Sequence, residues 1–402
     1  MRRAAGLPLM RMRATDIDCL VIGGGVTGWF TVANLRRAGR SALLIECSSC
    51  GNPQTSWCQG ILHAGTKYSL SGVVSAAAAA ADSQVESWRA MLAGAATHDL
   101  SRVSVRSRKC HLWRTESLLG KVGLAAAGLA LKVSPRRLDG SQRPAALTDV
   151  SGDVFELDEW VIDTASLLNE LARMHPGVAR RGQVQELAAD GEGVRALLGA
   201  SDGTRMELRA GSCVLAAGEG NDGLRRLAGL SEGRMQRRPL RQSLVRGPGL
   251  SALWGHCIDG MKTAVTVTSA QTSGGLVWSV GGEVAERGAR MSEAEFLPVL
   301  ASSLARALPG LEMTGLTATS RLIDRAEASA GGRRPDGECV LVEGAFITVW
   351  PTKLVLAPQA AERAVAVCRG EPALQSASLD WSEAPPAALQ PWEAPLMWSP
   401  LR

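Results

Sequence analysis

The chain has 402 residues, of which 46% are hydrophobic and 21% are charged, and its formal net charge at pH 7 is +5. These proportions are ordinary for a folded protein, and the length predicts two domains rather than one. The modest, dispersed positive charge gives no reason to expect a nucleic-acid partner. No apolar run approaches the roughly 20 residues of a transmembrane helix.

The cysteines and the N-terminus indicate where the protein works. Nine cysteines are scattered without a disulfide framework, which favours a reducing, cytoplasmic location. Residues 1–14 carry several arginines but no apolar segment long enough for a secretory signal. We therefore predict a flexible N-terminal tail over residues 1–14.

The segment Asp18–Glu46 has the element order of a dinucleotide-binding βαβ unit. An apolar run, Cys19–Ile22, leads into the glycine-rich turn Gly23–Gly28, a helical stretch to about Ala38, and a second apolar run that ends at Glu46. Strand, turn, helix, second strand and terminal acid follow in the required order. The segment therefore predicts a Rossmann-like nucleotide site.

Individual residues of this motif have separate physical tasks. Gly23 permits a tight turn, Gly25 lets the backbone approach a diphosphate, and Gly28 lets helix and strand pack closely. The diphosphate would lie at the positive N-terminus of the helix. The Glu46 carboxylate would accept hydrogen bonds from ribose hydroxyls. The motif alone does not choose between NAD and FAD.

A long loop rich in Gly, Pro, Ser and Thr follows, from Cys47 to Gly65. Loops of this length inside a compact domain are usually functional. Cys47 and Cys50 form a C-x-x-C pair, but no second pair completes a zinc site, so we interpret them as loop residues. The five histidines show no metal-ligand spacing, and no metal is predicted.

The remaining elements alternate between helices and short strands. Helical patterns cover Ser71–Ala93, Thr115–Leu131, Asp163–Met174 and Glu293–Ala307, and another helix begins within Pro351–Val367. Strand patterns cover Leu100–Trp113 (a strand or hairpin), Cys213–Gly218, Leu253–Ile258, Thr263–Thr268, Leu276–Gly281, Cys339–Val342 and Phe346–Val349. Residues 371–402 predict an extended tail, with Trp381, Trp392 and Trp398 exposed.

Three further segments carry a family resemblance. They are the loop Gln54–Tyr68 with its Gly-Ile-Leu-His-Ala-Gly core, the turn Arg333–Gly337, and the helix start Trp350–Pro358. In this order they resemble FAD-dependent oxidoreductases of the D-amino-acid oxidase superfamily, nearest the branch of glycerol-3-phosphate dehydrogenase and L-2-hydroxyglutarate dehydrogenase. The resemblance covers roughly residues 16–368 and implies FAD as the bound nucleotide.

The motif and the resemblance together indicate two sets of site residues. The candidate catalytic residues are His63, Lys353, Arg321 and Tyr68. The candidate cofactor-binding residues are Gly23, Gly25, Val26, Thr27, Gly28, Glu46, Thr55, Ser56, Gly60, Ala217, Gly218, Pro351, Thr352, Lys353 and Leu354.

The candidate catalytic residues suggest different tasks. His63 is the leading candidate near the flavin, where a base would take a proton from the substrate; its alternative role is to hold the loop by a hydrogen bond. Lys353 would stabilise negative charge at N1 and C2=O of the reduced flavin, and a solvated lysine is the alternative. Arg321 and Arg325 would bind a substrate carboxylate or phosphate. Tyr68 lies in the flavin loop.

Other residues are weaker candidates. His256 and Lys262 are secondary candidates for the substrate site. Cys58 aligns loosely with a position of covalent flavin attachment in some relatives, and the alternative is that Cys58 is a buried free cysteine. A dense arginine group is interpreted as a solvated strand face. It consists of Arg234, Arg237, Arg238, Arg241 and Arg246.

The sequence therefore predicts an α/β protein with two domains. A discontinuous Rossmann-like FAD domain would comprise residues 15–98, 150–230 and 330–370, and a substrate domain with a mixed or antiparallel β-sheet would comprise 99–149 and 231–329. Residues 1–14 and 371–402 would form the tails.

The predicted function is oxidation of a small amine, amino acid, 2-hydroxy acid or glycerol-phosphate-like substrate by hydride transfer to flavin N5. Electrons would pass to oxygen, a quinone or an electron-transfer protein. One alternative is a flavin-binding partner or assembly protein that lost the chemistry. Another is an NAD(P)-dependent dehydrogenase, which would need a second glycine motif that the sequence lacks.

Overall fold

A computed structural model of the protein describes residues 11–63, 76–115, 136–260, 262–333, 335, 337–370 and 381–401. The chain divides into two compact units. Unit 1 contains Met1–Thr55, Leu168–Arg237 and Ala326–Leu389. Unit 2 contains Ser56–Leu167, Arg238–Arg325 and Gln390–Arg402.

Strands and helices are numbered in chain order over the described residues. The strands are β1 (Arg11–Ile22), β2 (Ala42–Glu46), β3 (Ile61–Leu62), β4 (Val105–Ser107), β5 (Cys110–Arg114), β6 (Arg136–Leu138), β7 (Val154–Leu157), β8 (Trp160–Ile162), β9 (Ala179–Arg181), β10 (Gln183–Asp190), β11 (Gly193–Gly199), β12 (Arg205–Leu215), β13 (Met235–Arg246), β14 (Trp254–Asp259), β15 (Lys262–Thr272), β16 (Gly275–Gly281), β17 (Thr317–Ala328), β18 (Cys339–Glu343), β19 (Phe346–Trp350) and β20 (Ser399–Pro400). The α-helices are α1 (Val26–Arg37), α2 (Ala76–Leu92), α3 (Thr164–Met174), α4 (Asn221–Leu227), α5 (Glu283–Gly288), α6 (Glu293–Ala307) and α7 (Ala357–Ala366).

An eight-stranded sheet forms the centre of unit 1. Its order is β10-β11-β12-β1-β2-β9, with β19 beside the end of β12 and β18 beside β19. The pairs β1–β12, β1–β2, β2–β9 and β12–β19 are parallel. Cys19–Ile22 of β1 is at most 5% exposed, as expected for a parallel strand that is covered on both faces.

The carboxyl ends of three parallel strands meet at one edge of this sheet. Ile22 of β1 pairs with Leu215 of β12, and Leu215 pairs with Thr348 of β19. The segments that follow these strands therefore leave the sheet side by side. In doubly wound sheets this edge is where ligands bind.

Unit 2 contains a three-stranded sheet, β3-β8-β4, and most of a nine-stranded sheet with the order β20-β17-β13-β16-β15-β14-β5-β7-β6. Helix α6 begins with a capping box, because the Ser292 hydroxyl accepts from the Glu295 N–H and the Glu295 carboxylate accepts from the Ser292 N–H. The predicted helix Glu293–Ala307 is confirmed at both ends. The apolar side of α6 packs in one core with Trp113 and Trp278.

Several expectations need correction. Strand β1 begins at Arg11, so the last residues of the expected N-terminal tail belong to the sheet. Leu100–Trp113 contains two strands that pair in different sheets, because β4 pairs with β8 and β5 pairs with β7 and β14. Trp381 was expected to be exposed but is 4% exposed. It packs over Gly182, where a Cβ would lie 2.6 Å from the indole ring.

The division into units also differs from the expected domains. Residues 56–98 and 150–167 were expected in the FAD domain, and they belong to unit 2. The reason is strand pairing, since β3 pairs with β8 and β4 pairs with β8 within one small sheet. Tyr68, Asp336 and the predicted helix beyond Thr115 lie outside the described residues.

Candidate active site

The glycine-rich turn of unit 1 is shaped by close backbone contacts. Gly23 has φ +113°, and a Cβ there would lie 2.6 Å from the Ala216 carbonyl oxygen and the Ala217 Cα. A Cβ on Gly28 would overlap the Gly23 carbonyl oxygen. At Gly25, by contrast, a Cβ would meet only the Thr55 hydroxyl, at 3.4 Å. Gly23 and Gly28 are therefore required for packing, and Gly25 leaves the space that a bound group needs.

Helix α1 begins directly after this turn with its N-terminus prepared for an anion. Its N-cap is Gly25, which has no side chain to cap the helix, and its first turn contains no acidic residue. The Val26 N–H donates to the Thr55 hydroxyl at 3.4 Å. Backbone N–H groups at such an N-terminus favour negative charge, so Val26, Thr27 and their neighbours fit a diphosphate.

Glu46 ends β2 as an oriented, acceptor-only group. It is 7% exposed, and one carboxylate oxygen accepts from the Gly24 N–H at 2.7 Å. The other oxygen accepts from the N–H and the hydroxyl of Ser48 at 2.7 and 2.9 Å. Because each oxygen has two lone pairs, the oxygen that accepts from Gly24 can also accept from a ribose hydroxyl. The residues present thus fit the ADP part of a dinucleotide.

The other predicted cofactor residues of unit 1 follow the neighbouring strands. Ala217 and Gly218 come after β12, and the Ala217 N–H donates to the Asn221 side chain at 2.8 Å. Pro351 comes directly after β19. The parallel register thus brings these segments to the edge where the glycine turn lies.

The segment after β19 has an unusual backbone. Thr352 has φ +62°, and its hydroxyl donates to the Gly337 carbonyl at 2.7 Å. Lys353 is the N-cap of a short 3-10 helix, Leu354–Leu356, and is only 7% exposed. The alternative of a solvated Lys353 is therefore wrong. Lys353 is therefore a buried residue held directly before the N-terminus of this short helix.

Unit 2 brings His63 and His256 together around a buried acid. The Glu159 carboxylate lies 3.1 Å from Nε2 of His256 and 3.6 Å from Nδ1 of His63. The centroids of the two imidazole rings are 5.5 Å apart. His256 also contacts the Thr266 hydroxyl through Nδ1, at 3.0 Å. We call His63, Glu159, His256 and Thr266 the imidazole array.

Strand register explains how the imidazole array forms. Leu62 of β3 pairs with Trp160 of β8 in antiparallel register. Continuing this register by one residue brings His63 opposite Glu159. His256 of β14 and Thr266 of β15 are direct cross-strand partners. Backbone pairing therefore places His63 beside Glu159 and His256 beside Thr266, and packing between two sheets of unit 2 brings the two pairs together.

Electrostatics keeps the acid of the array ionised. Glu159 is 1% exposed, and burial by itself raises the pKa of its carboxyl group. The imidazoles of His256 and His63 outweigh burial and hold this pKa well below its usual range. A buried carboxylate is tolerable here because polar partners replace water.

The array contains the residue that the sequence analysis missed. Glu159 was not among the predicted site residues, although it precedes the apolar strand β8. The only local indication of Glu159 is an acidic residue next to Trp160. Such a pair is common at protein surfaces. Donor atoms of His63, Glu159 and His256 all lie within 4.8 Å of one another, a proximity that their sequence spacing did not indicate.

The remaining candidates of unit 2 have varied surroundings. Ser56 is buried, and the Gly60 carbonyl accepts from the Ile162 N–H at 2.9 Å. The guanidinium of the exposed Arg321 lies 5.8 Å from the centroid of the Trp57 ring.

The other candidate cations have protein partners. Arg325 donates to the Arg238 carbonyl at 3.1 Å and to Glu286 at 3.2 Å. The exposed Lys262 donates to Glu283 at 2.6 Å. Burial raises the pKa of the Cys58 thiol to about 11, which keeps it neutral at pH 7.

The interpretation of the arginine group as a solvated face holds only in part. Arg234, Arg237 and Arg246 are exposed. Arg241 instead donates to two backbone carbonyls, those of Gly288 and Met291, at 3.1 and 2.6 Å. Arg241 therefore ties β13 to the segments around α5.

Comparison with known proteins shows the family. Residues 18–357 match the family model described as FAD dependent oxidoreductase. The chain is 34% identical over 389 residues to the probable FAD-dependent oxidoreductase PA4991 of Pseudomonas aeruginosa, a match that covers 95% of this chain and 98% of the relative. The crystal structure of PA4991 matches with a TM-score of 0.79 at 32% identity, covering 95% of this chain and 99% of that one.

Two solved flavoenzymes share the fold at lower identity. L-alpha-glycerophosphate oxidase from Mycoplasma pneumoniae, with FAD bound, gives a TM-score of 0.61 at 13% identity and covers 92% of this chain and 98% of that one. Glycine oxidase from Geobacillus kaustophilus gives 0.63 at 16% identity, covering 91% and 98%. At such identities the likeness shows the fold alone.

This chain belongs to the FAD-dependent oxidoreductase family of the D-amino-acid oxidase type. Its cofactor is FAD, which decides the choice that the glycine motif left open and makes the NAD(P)-dependent alternative wrong. The predicted superfamily and enzyme class are thus confirmed. Within the described residues, no helix has both the length and the apolar character needed to cross a membrane.

Proposed function

We propose that the protein oxidises a small amine, amino acid, 2-hydroxy acid or glycerol-phosphate-like substrate and passes the electrons to oxygen, a quinone or an electron-transfer protein. The observation that carries this proposal is the family match over residues 18–357. The proteins named glycerophosphate oxidase and glycine oxidase, which share the fold, support the substrate range. The cytoplasm is the proposed location.

The proposed cofactor contacts are made by the residues of unit 1 that fit a dinucleotide. The diphosphate would bind to the backbone at Gly25, Val26 and Thr27, and a ribose would donate to Glu46. Lys353 would hold positive charge near the flavin ring. Once bound, FAD supplies the acceptor for the substrate hydride.

The proposed catalytic role of this chain is proton handling. His63 would take the proton from the amine or hydroxyl group whose carbon is oxidised. Arg321 is the proposed anchor for a carboxylate or phosphate, because a guanidinium can bind either group in a bidentate manner. Tyr68 remains a proposed member of the substrate site from the flavin-loop resemblance.

Anaerobic reduction of the bound flavin tests the function. The purified holoenzyme is mixed with members of four substrate classes: amines, amino acids, 2-hydroxy acids and glycerol phosphate. We expect bleaching of the oxidised-flavin absorbance by compounds of one class. The acceptor is then found by reoxidising the reduced enzyme with oxygen, a quinone analogue or an electron-transfer protein.

Matched histidine variants test the role of His63. His63→Gln is expected to slow flavin reduction about 100-fold or more without loss of FAD, as is usual when a positioned base is removed. His98→Gln, also in unit 2, is the control and should reduce at the wild-type rate. A flavin that no member of the panel bleaches would favour a flavin-binding partner or assembly protein instead.

A further inference from the structure

Glu159 lies between two imidazoles and is itself too buried to meet a substrate. Its carboxylate is 1% exposed, and the His256 side chain is 3% exposed. The His63 side chain is 22% exposed. Of these three groups, His63 is the one that can contact a substrate, and Glu159 can act only through it.

The carboxylate determines which nitrogen of His63 carries the proton. A carboxylate accepts hydrogen bonds and does not donate them, so Nδ1, which faces Glu159 at 3.6 Å, is favoured as the protonated nitrogen. The lone pair of the neutral ring is then on Nε2, on the far side from Glu159. The contact is long for a hydrogen bond, and catalytic contacts often shorten when substrate binds.

His256 holds the other end of the carboxylate. Its Nε2–H donates to Glu159 at 3.1 Å, and in the neutral ring the Thr266 hydroxyl donates to Nδ1 at 3.0 Å. Both nitrogens of His256 are therefore engaged within unit 2. This arrangement is a hydrogen-bonded array rather than a cation site. A cation would need a free lone pair on a nitrogen of His256, and both of these nitrogens already take part in hydrogen bonds.

We propose that Glu159 is a positioning residue, which keeps the Nε2 of His63 available as a proton acceptor and stabilises the imidazolium that forms. This inference rests on the proposed function. During oxidation the N–H or O–H bond of the substrate breaks, and an N–H bond forms at Nε2 of His63. The electron pair of the substrate C–H bond leaves as hydride to the cofactor, and solvent later removes the proton from His63.

Histidine NMR tests the coupling without relying on turnover. The holoenzyme is labelled with ¹⁵N-histidine, and the His63 signals are assigned through their loss in His63→Gln. Glu159→Gln removes the negative charge, so the pH at which His63 loses its proton should fall by about one unit, a tenfold loss of proton affinity. The fraction of the Nε2–H form should rise. In the described structure, the titratable groups in contact with Glu159 from β3 and β14 are His63 and His256.

Kinetics on the same proteins tests the consequence for chemistry. Glu159→Gln should slow flavin reduction by about 100-fold at neutral pH and change substrate affinity by less than about threefold. Glu159→Asp should restore part of the rate. Glu156→Gln, on β7, is the matched control, because Glu156 pairs with Lys109 and Arg136 at the surface.

The outcomes separate this inference from the proposed function. If no substrate reduces the flavin, the proposed function fails, and the His63 titration still decides the coupling. An unchanged His63 titration in folded, flavin-loaded Glu159→Gln overturns the inference. So does a stoichiometric divalent metal in the wild type that is lost in the variant. If Glu159→Gln does not fold, Glu159→Asp, which draws the carboxylate back from His63, should lower the pH at which His63 loses its proton by a smaller amount, and no shift would overturn the inference.

Discussion

Both units bury a charged side chain, but the partners differ in kind. In unit 1, Arg225 is 2% exposed. It donates to the Thr348 hydroxyl at 2.8 Å and to the Ser231 carbonyl at 2.7 Å, and it pairs with Glu343 at 2.6 Å. None of these partners gains or loses a proton near neutral pH. Arg225 therefore joins α4 to β18 and β19 as a permanent link.

In unit 2, the buried charge is held by groups that can change their own charge. Glu159 contacts two imidazoles, and imidazoles titrate near neutral pH. One of them, His63, is also partly exposed. Burial of a charged side chain is therefore not by itself a sign of function. Its partners decide whether the charge only stabilises the fold or can also take part in chemistry.

The largest effect is expected where the permanent link is broken. Arg225→Met leaves Glu343 without its cation, and we expect the free energy of unfolding to fall by about 3 kcal/mol, the low end for a broken buried pair because Glu343 remains partly exposed. Urea unfolding measures it. Arg226→Ala, which removes an exposed pair with Asp222, should change stability by less than about 1 kcal/mol. Equal effects of the two variants would contradict the structural role of Arg225.

A smaller loss is expected at the glycine turn of unit 1. Gly28→Ala would push a Cβ into the Gly23 carbonyl, and overpacking of this kind costs about 1–3 kcal/mol. We also expect weaker FAD binding, read from the flavin-to-protein absorbance ratio. Gly223→Ala is the matched control in helix α4, since its Cβ would meet nothing within 4 Å, and it should be neutral or slightly stabilising.

The imidazole array should make the stability of the protein depend on pH under acidic conditions. Because the pKa of Glu159 is lowered on folding, its contribution to stability is present above its ordinary value of 4.5 and is lost as the pH falls toward the folded value. Wild type should therefore lose stability more steeply than Glu159→Gln below about pH 4.5. The exposed Glu86, which pairs with Arg89, provides the control variant Glu86→Gln. Parallel curves for wild type and Glu159→Gln would show that the carboxylate is not held by its partners.

The smallest effect is expected at an exposed pair of unit 2. Lys262 and Glu283 lie 2.6 Å apart, but the lysine side chain is 70% exposed, so solvent screens the attraction. Lys262→Gln should leave both thermal stability and flavin reduction at wild-type values. A slower flavin reduction in this variant would instead support Lys262 as a residue of the substrate site.

Local patterns predicted much of unit 1. Within the turn Gly23–Gly28, a Cβ on Gly28 would overlap the Gly23 carbonyl oxygen, and a steric demand between such near neighbours is visible in the sequence. The same holds for Glu46 at the end of β2 and for the small residues after β12. Helix α6 was predicted at both ends, and the capping box of Ser292 and Glu295 that the structure shows at its start is also a local feature.

Burial over long distances was not predictable in this way. Trp381 follows a proline-poor stretch of the expected tail, yet it packs over Gly182, about 200 residues earlier in the chain. Lys353 was open to two interpretations until the structure showed it buried. For Trp381 the deciding neighbour comes from a distant segment.

The amino-acid sequence by itself determined the cofactor class, because the order of strand, glycine turn, helix, second strand and acid is contained in the single segment Asp18–Glu46. The tertiary structure decided the imidazole array. His63, Glu159 and His256 are separated by about a hundred residues at each step, and only the pairing of β3 with β8 and the packing of β14 bring the two imidazoles to 3.6 and 3.1 Å from the Glu159 carboxylate. Strand register, which no single segment specifies, is the physical reason.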